Sequence, residues 1–415
     1  MKKGIIVFCF SLFGLHSSPQ QKSHQQYKED FDYFWTTIKT DYCYWDKKQT
    51  DWANVKRMFS PLADTVTSKG SFIALLEKVL YELYDHHASL SANTRESQRL
   101  VPTGTDIWAQ FINGIPIITE IRLGFGADKA GMTAGMQIIA FNDVEIETAI
   151  QTFLAKTLKK EDVESKNYAL RLLLAGKHSG IRKITVKHKN KQIDFFPDQP
   201  VILLKEYKYD GEIESKILHG NIGYIRINNR LGDNNLIPLF DSVVTSLKTT
   251  KALILDLRET PSGGNTTVAR SILGRFITKE GFYQKHELTA EGKEYGVKRS
   301  WVEIVSPQKT AYTKPLILLV NHWTGSVGEG ITIGFDALKR VTIIGTDIAR
   351  LNGAVYSYTL PHTGIGFSFP VEKLYHVNVT PRENFHPTIQ PDLLMQKGQD
   401  PILNKAIAFI KNHKW

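Results

Sequence analysis

Four short, near-continuous apolar runs constrain this chain more than any other feature: Ile222–Ile227, Ala252–Leu257, Leu316–Val320 and Val341–Ile344. They lack the in-and-out alternation of a half-solvated strand, which is the pattern of parallel strands covered on both faces. Segments with helical spacing lie between them, about Leu236–Leu247, Thr266–Phe276 and Val327–Leu338, so residues 205–415 read as repeated βαβ units around a largely parallel sheet. In such sheets ligands collect at the carboxyl ends of the strands. Those ends carry the residues with chemistry to offer.

Upstream the texture is different. Over residues 24–98, Phe31, Phe34, Trp35 and Ile38, then Phe72, Leu75, Leu76, Val79 and Leu80, recur at helical spacing, and Asp51 stands as an N-cap before Trp52. We expect a helical domain there. Residues 103–200 read as a small β module, with strands at Ile115–Ile121 and Gln137–Phe141, a hairpin of Arg182–Val186 with Gln192–Phe196, and a helical pattern over Ala149–Leu173. Residues 1–18 combine Lys2-Lys3 with the apolar Gly4–Leu15 and end at Ser17-Ser18, the pattern of a cleaved secretory signal. That predicts a secreted or periplasmic protein with no integral membrane span once the signal is gone. Of the 2 cysteines, Cys9 would leave with the signal, so Cys43 can form neither an intrachain disulfide nor a cysteine zinc site. The net charge of +10 would fall by the two lysines of the signal, and no block of five basic residues occurs, so the excess reads as surface solubility and no nucleic-acid partner is expected.

Three constellations could carry chemistry. Ser326 falls where the Leu316–Val320 strand turns into a helix, at the positive end of the helix dipole and beside N–H groups that lack intrahelical partners. A plain N-cap serine would occupy the same place. Thr324 stands where a G-x-S-x-G elbow requires glycine. After the Ala252–Leu257 strand, Gly263-Gly264 would let backbone amides approach a ligand, or simply form a turn. No G-x-x-x-x-G-K or G-x-G-x-x-G occurs, so no nucleotide cofactor is expected. Asp85-His86-His87-Ala88 closes the last helix of the N-terminal region, where a histidine serves either as a helix-end contact or as a general base. Adjacent histidines project apart, so we expect no metal site.

Taken in order, these segments resemble the carboxyl-terminal processing, or tail-specific, serine peptidases of the S41 type, the family that includes tricorn core proteases and the nisin-resistance protein. The resemblance rests on Asp85-His86-His87, on Ala127–Met136 followed by Ile138–Asp143 as in a PDZ-like module, on Asp256-Leu-Arg258 with Gly263-Gly264, and on Thr324-Gly-Ser-Val-Gly-Glu329. It implies a multidomain α/β fold: a helical domain, a PDZ-like module and a crotonase/ClpP-like α/β domain. It also implies Ser326 as nucleophile, His87 as base, an oxyanion hole from the Val327 N–H and the amide of Gly263 or Gly264, and Glu329 as a capping or orienting carboxylate. The subtype with a lysine about two dozen residues after the serine is disfavoured, because Asp347–Gly353 contains none. The histidine subtype adds a late carboxylate, for which Glu383 is available; His86 stands where that family has a small residue, and His386 is a weaker competitor for the base. The implied activity is an endopeptidase acting on peptides or unfolded proteins, with the substrate C-terminus held by the PDZ-like module. The rival readings are an inactive peptide-binding scaffold and a small-molecule esterase or amidase. No cofactor is implied, and the oligomeric state is not legible.

Overall fold

The computed structural model describes residues 24–199, 209, 211–394 and 399–413. The expected signal at 1–18, and the junction expected between 200 and 205, lie outside the described residues. The N-terminal region forms α1 (His24–Asp41), α2 (Trp52–Ala63) and α3 (Lys69–Tyr81). Asp51 caps α2 by accepting the Asn54 N–H, and Ser68 and Ser71 form a reciprocal capping box on α3. The two-residue strand β1 (Ser89–Leu90) follows the Asp85–His87 segment.

Next come β2 (Ile107–Ile112), β3 (Ile115–Ile121), α4 (Gly126–Ala130), β4 (Gln137–Phe141), β5 (Val144–Glu145), α5 (Ile146–Ala149), α6 (Val163–Ala175), β6 (Ile184–His188) and β7 (Lys191–Phe195). The strands form an antiparallel sheet in the order β2-β3-β4-β6-β7, with β5 paired to β4. The helical pattern expected over Ala149–Leu173 is interrupted: α6 begins only at Val163, where Asp162 accepts the Glu164 N–H.

The remaining elements are β8 (Ile213–Leu218), β9 (Ile222–Ile227), α7 (Leu236–Ser246), β10 (Ala252–Asp256), α8 (Thr266–Gly274), β11 (Gly281–Leu288), α9 (Thr289–Tyr295), β12 (Arg299–Val305), β13 (Leu316–Val320), α10 (Val327–Ala337), β14 (Thr342–Gly345), β15 (Ala354–Thr359), β16 (Gly366–Tyr375) and α11 (Pro401–Asn412). Strands β14, β13, β10 and β9 run parallel, and β8 closes the edge antiparallel to β9. Successive residues bury on opposite faces. Ile225, Leu255 and Leu318 pack under Phe240, Ile272 and Phe335 of α7, α8 and α10, whereas Tyr224, Ile254 and Ile317 pack under Ile402 and Ala406 of α11. Burying each such side chain is worth about 1.5–3 kcal/mol, which explains why the runs show no polar alternation.

The largely parallel arrangement holds for this sheet only. A second, antiparallel sheet in the order β1-β16-β11-β12, with β15 on β16, was not expected from the sequence. Phe367, Phe369 and Val371 of β16 complete the core of the N-terminal helices against Phe31, Phe34 and Leu76. Pairing of β1 with β16 thus draws the segment next to His87 onto the C-terminal half of the chain.

Candidate active site

Ser326 ends the β13–α10 turn with φ +50°, a left-handed conformation that costs an ordinary L-residue on the order of 1–3 kcal/mol. Its surroundings hold it there. The Glu329 carboxylate accepts the Ser326 N–H at 2.8 Å, and Arg382 Nη1 donates to the Ser326 carbonyl at 3.2 Å. On the strand side, Thr324 Oγ1 accepts the Asn321 N–H and donates to the Leu257 carbonyl, so the turn is tied to the end of β10.

The segment after β10 packs directly on the serine. A Cβ at Gly263, whose φ is +65°, would overlap Ser326 Cβ and come within 2.9 Å of Oγ, and a Cβ at Gly264 would overlap the Leu231 carbonyl. Both positions therefore require glycine. The two amides are not equivalent. Gly263 N–H donates to the Thr260 carbonyl at 3.2 Å, whereas among the described residues Gly264 N–H and Val327 N–H have no hydrogen-bond partner.

Glu329 is fully buried. It also accepts the Leu351 N–H, and Arg382 Nη2 lies 3.3 Å from its carboxylate. Burial pushes its pKa up to about 7 against the pull of Arg382 and the two N–H groups. Arg382, 2% exposed, spends Nη2 on the Leu351 and Gly353 carbonyls, tying this loop to the serine turn.

His87 reaches the same loop from the other side. Its Nδ1 lies 2.6 Å from the Asn352 carbonyl, to which a protonated Nδ1 donates, leaving the lone pair of the neutral ring on Nε2. Its backbone N–H is held by Asp85, whose other oxygen accepts from Tyr42 and from Asn352 Nδ2. Burial, and then the Arg382 charge, lower the His87 pKa to about 4. Among the described residues no hydrogen bond joins His87 to Ser326; His87 meets the Asn352 carbonyl, and the next residue, Gly353, lines the cavity beside the serine.

The other singled-out residues separate. Glu383 pairs with Lys47 and leaves Oε2 buried without a partner; it contacts neither His87 nor Ser326 through a hydrogen bond and shares a cavity wall with Asp85, His86 and Asn352. His86 stacks on Tyr168, and burial, then Arg171 and Lys48, lower its pKa well below the ordinary value. His386 is exposed and pairs with Asp347. Sequence reasoning missed Arg382, although it is adjacent to Glu383, because no local pattern ties it to the serine turn whose carbonyl it bonds. It also missed His286, which lines the Ser326 cavity and whose Nδ1 meets Glu372 at 2.8 Å.

Against known proteins, residues 221–395 match the family model for peptidase family S41, and residues 23–80 match that for the tricorn protease C1 domain. The fold is similar to mature CPAF complexed with lactacystin (16% identity, 94% of this chain and 98% of that one, TM-score 0.62). It is similar to the photosystem II D1 C-terminal processing protease (15% identity, 88% and 93%, TM-score 0.54) and to a putative peptidase from Parabacteroides merdae ATCC 43184 (19% identity, 94% and 97%, TM-score 0.55). At such identities the structural likeness concerns the fold, a mixed α/β arrangement in several units. The family matches support a peptidase, and within the peptidases the S41 family. Peptides or proteins are the substrates that this class implies. No helix of the described residues is long and apolar enough to cross a membrane.

Proposed function

We propose that the chain is a serine endopeptidase that cleaves peptides or unfolded proteins by acyl transfer. The observation that carries this reading is Ser326 at positive φ on the start of α10, packed against Gly263 and beside two backbone amides without partners. Ser326 Oγ attacks the scissile carbonyl while His87 Nε2 takes its proton; the developing oxyanion accepts from Val327 N–H and Gly264 N–H. His87 then protonates the leaving amine, and water releases the acyl group by the reverse sequence. Glu329 and Arg382 are positioning residues that hold the serine turn. Glu383 is read as a further positioning residue on the His87 side. This is the histidine-base mode of the family, in which His87 Nε2 and Ser326 Oγ come within hydrogen-bond reach when substrate binds.

Residues 103–200 act in this reading as the PDZ-like module, taking the substrate's free C-terminal carboxylate, and the protein works outside the cytoplasm after removal of residues 1–18. The test is covalent labelling by a fluorophosphonate. Labelling at Ser326 that is lost in Ser326→Ala and in His87→Ala supports the reading; an unlabelled wild type that still binds peptides favours the inactive scaffold. Hydrolysis of short esters without any peptidase activity would point to the esterase.

A further inference from the structure

A second cavity, of about 340 Å³, opens where the N-terminal helical region, the β module and the loop before β15 meet, with Lys48, Trp108, Arg171 and Asn352 on its wall. One water needs only about 10–15 Å³ of such space, so a group of many atoms fits. The charges on this wall are unevenly paired. Asp347 and Glu383 are engaged with Arg350 and Lys47, and Asp85 accepts from Tyr42, the His87 N–H and Asn352 Nδ2. Glu164 is exposed and accepts from Asn167 Nδ2 at 3.3 Å.

Lys48 and Arg171 are different. Lys48 Nζ donates to the Tyr84 carbonyl at 3.1 Å and Arg171 Nε to the Ala109 carbonyl at 3.2 Å, but among the described residues neither has a carboxylate within 4.0 Å. Burial lowers the pKa of both, that of Arg171 to about 10, and both act on the His86 that lies between the helical region and α6. A partly buried cation is stabilised by an anion brought to it. The Arg171 guanidinium is also held in place: its Cζ lies 4.6 Å over the Trp108 ring, and His322, with Nδ1 on Glu120, stacks on the same indole. With Nε on a carbonyl and the ring beneath, the Nη1 and Nη2 edge is left; it makes no hydrogen bond among the described residues and remains accessible. Such an edge matches the two oxygens of a carboxylate.

We propose that this cavity is an anion site for the substrate, in which Arg171, aided by Lys48, takes a peptide carboxylate away from the scissile bond. The carboxylate is that of the C-terminus or of an Asp or Glu side chain. Its assignment to a peptide rests on the serine-peptidase reading above. One chain can reach both places, because Leu351 and Asn352 on this wall run directly into Gly353 and Ala354 on the wall of the cavity beside Ser326. Hydrogen bonds to a charged group of this kind are worth about tenfold or more in affinity.

The test reads peptide binding by fluorescence anisotropy on the full chain carrying Ser326→Ala, with fluorophosphonate labelling of the wild type alongside. The probes share one sequence: a C-terminal amide without acidic residues, its free acid, and amides with one Glu at successive positions. The expected result is that the free acid or one of the Glu amides binds about tenfold or more tighter than the neutral amide, and that Arg171→Gln lowers its affinity to that of the neutral amide. Tighter binding of the free acid assigns the C-terminus, and tighter binding of a Glu amide assigns the side chain. Equal affinities for all probes, or a preference that survives Arg171→Gln, overturn the site. If Arg171→Gln does not fold, Lys48→Met is read instead: a weakened carboxylate preference is expected, and an undiminished one overturns the site. A protein that shows the Arg171-dependent preference but never labels at Ser326 keeps the site and loses the peptidase reading; one that labels and shows no preference loses only the site.

Discussion

Glu329 accepts the Ser326 backbone N–H at 2.8 Å, so a buried carboxylate three residues into α10 holds the proposed nucleophile in a left-handed backbone conformation. Its pKa of about 7 lies above the ordinary value of 4.5. The folded state therefore binds the proton more tightly than the unfolded chain, and stability falls as pH rises from about 4.5 through 7. Glu329→Gln removes the titration. Melting curves from pH 5 to 8 are expected to lose a downward slope on the order of 2–3 kcal/mol in this variant; an unchanged slope would show that Glu329 does not titrate in this range.

His87 carries the opposite sign. With its pKa lowered to about 4, the folded state binds fewer protons than the unfolded chain between pH 4 and 6.5, so this contribution is lost as pH falls through that window. The ring stays neutral and able to accept a proton down to about pH 4. The acid limb of kcat/KM is expected near pH 4 rather than 6.5. Arg382→Met removes a positive charge that lowers this pKa and should move the limb upward, while breaking a buried pair at a cost of about 3–5 kcal/mol. An acid limb near 6.5 in the wild type would contradict His87 as the half-buried base.

Ser326→Ala and His87→Ala are each expected to lower peptide hydrolysis by about 10² to 10⁴. Chromogenic peptide turnover and fluorophosphonate labelling read this directly. If His286→Asn abolishes labelling and His87→Ala does not, the role of base passes to His286.

Gly263→Ala forces a Cβ into Ser326 at a backbone φ of +65°, and Gly264→Ala forces one into the Leu231 carbonyl. Each should destabilise the loop by roughly 1–3 kcal/mol and displace the Gly264 amide, with at least about 10²-fold loss of turnover. Full activity in a folded Gly264→Ala protein would remove that amide from the oxyanion hole.

Substrate recognition has its own assay. Peptides with an amidated C-terminus are expected to show a raised KM relative to free acids, because the module at 103–200 is proposed to take the carboxylate by strand addition. Equal KM values would separate that module from substrate capture without touching the chemistry at Ser326.

Local chemistry made several parts of this protein legible without coordinates. The apolar runs predicted β9, β10, β13 and β14 because strands buried on both faces cannot carry alternating polar residues. The turn into α10 placed Ser326 and Glu329 within one helical turn, a spacing that a capping interaction imposes wherever the helix forms. Gly263-Gly264 announced a close backbone approach. The partners were not legible, because nothing local to β16 says that it completes the core of the N-terminal helices, or that Arg382, 56 residues after Ser326, bonds its carbonyl. Pairing of β1 with β16 brings His87 to Asn352, while β11 brings His286 to the wall of the cavity beside the serine. That the Gly263 amide is spent on the Thr260 carbonyl is likewise not written in residue order. Periodicity and capping are short-range and can be read from residue order; burial, pKa and the meeting of side chains arise from long-range contacts, which only the tertiary structure decides.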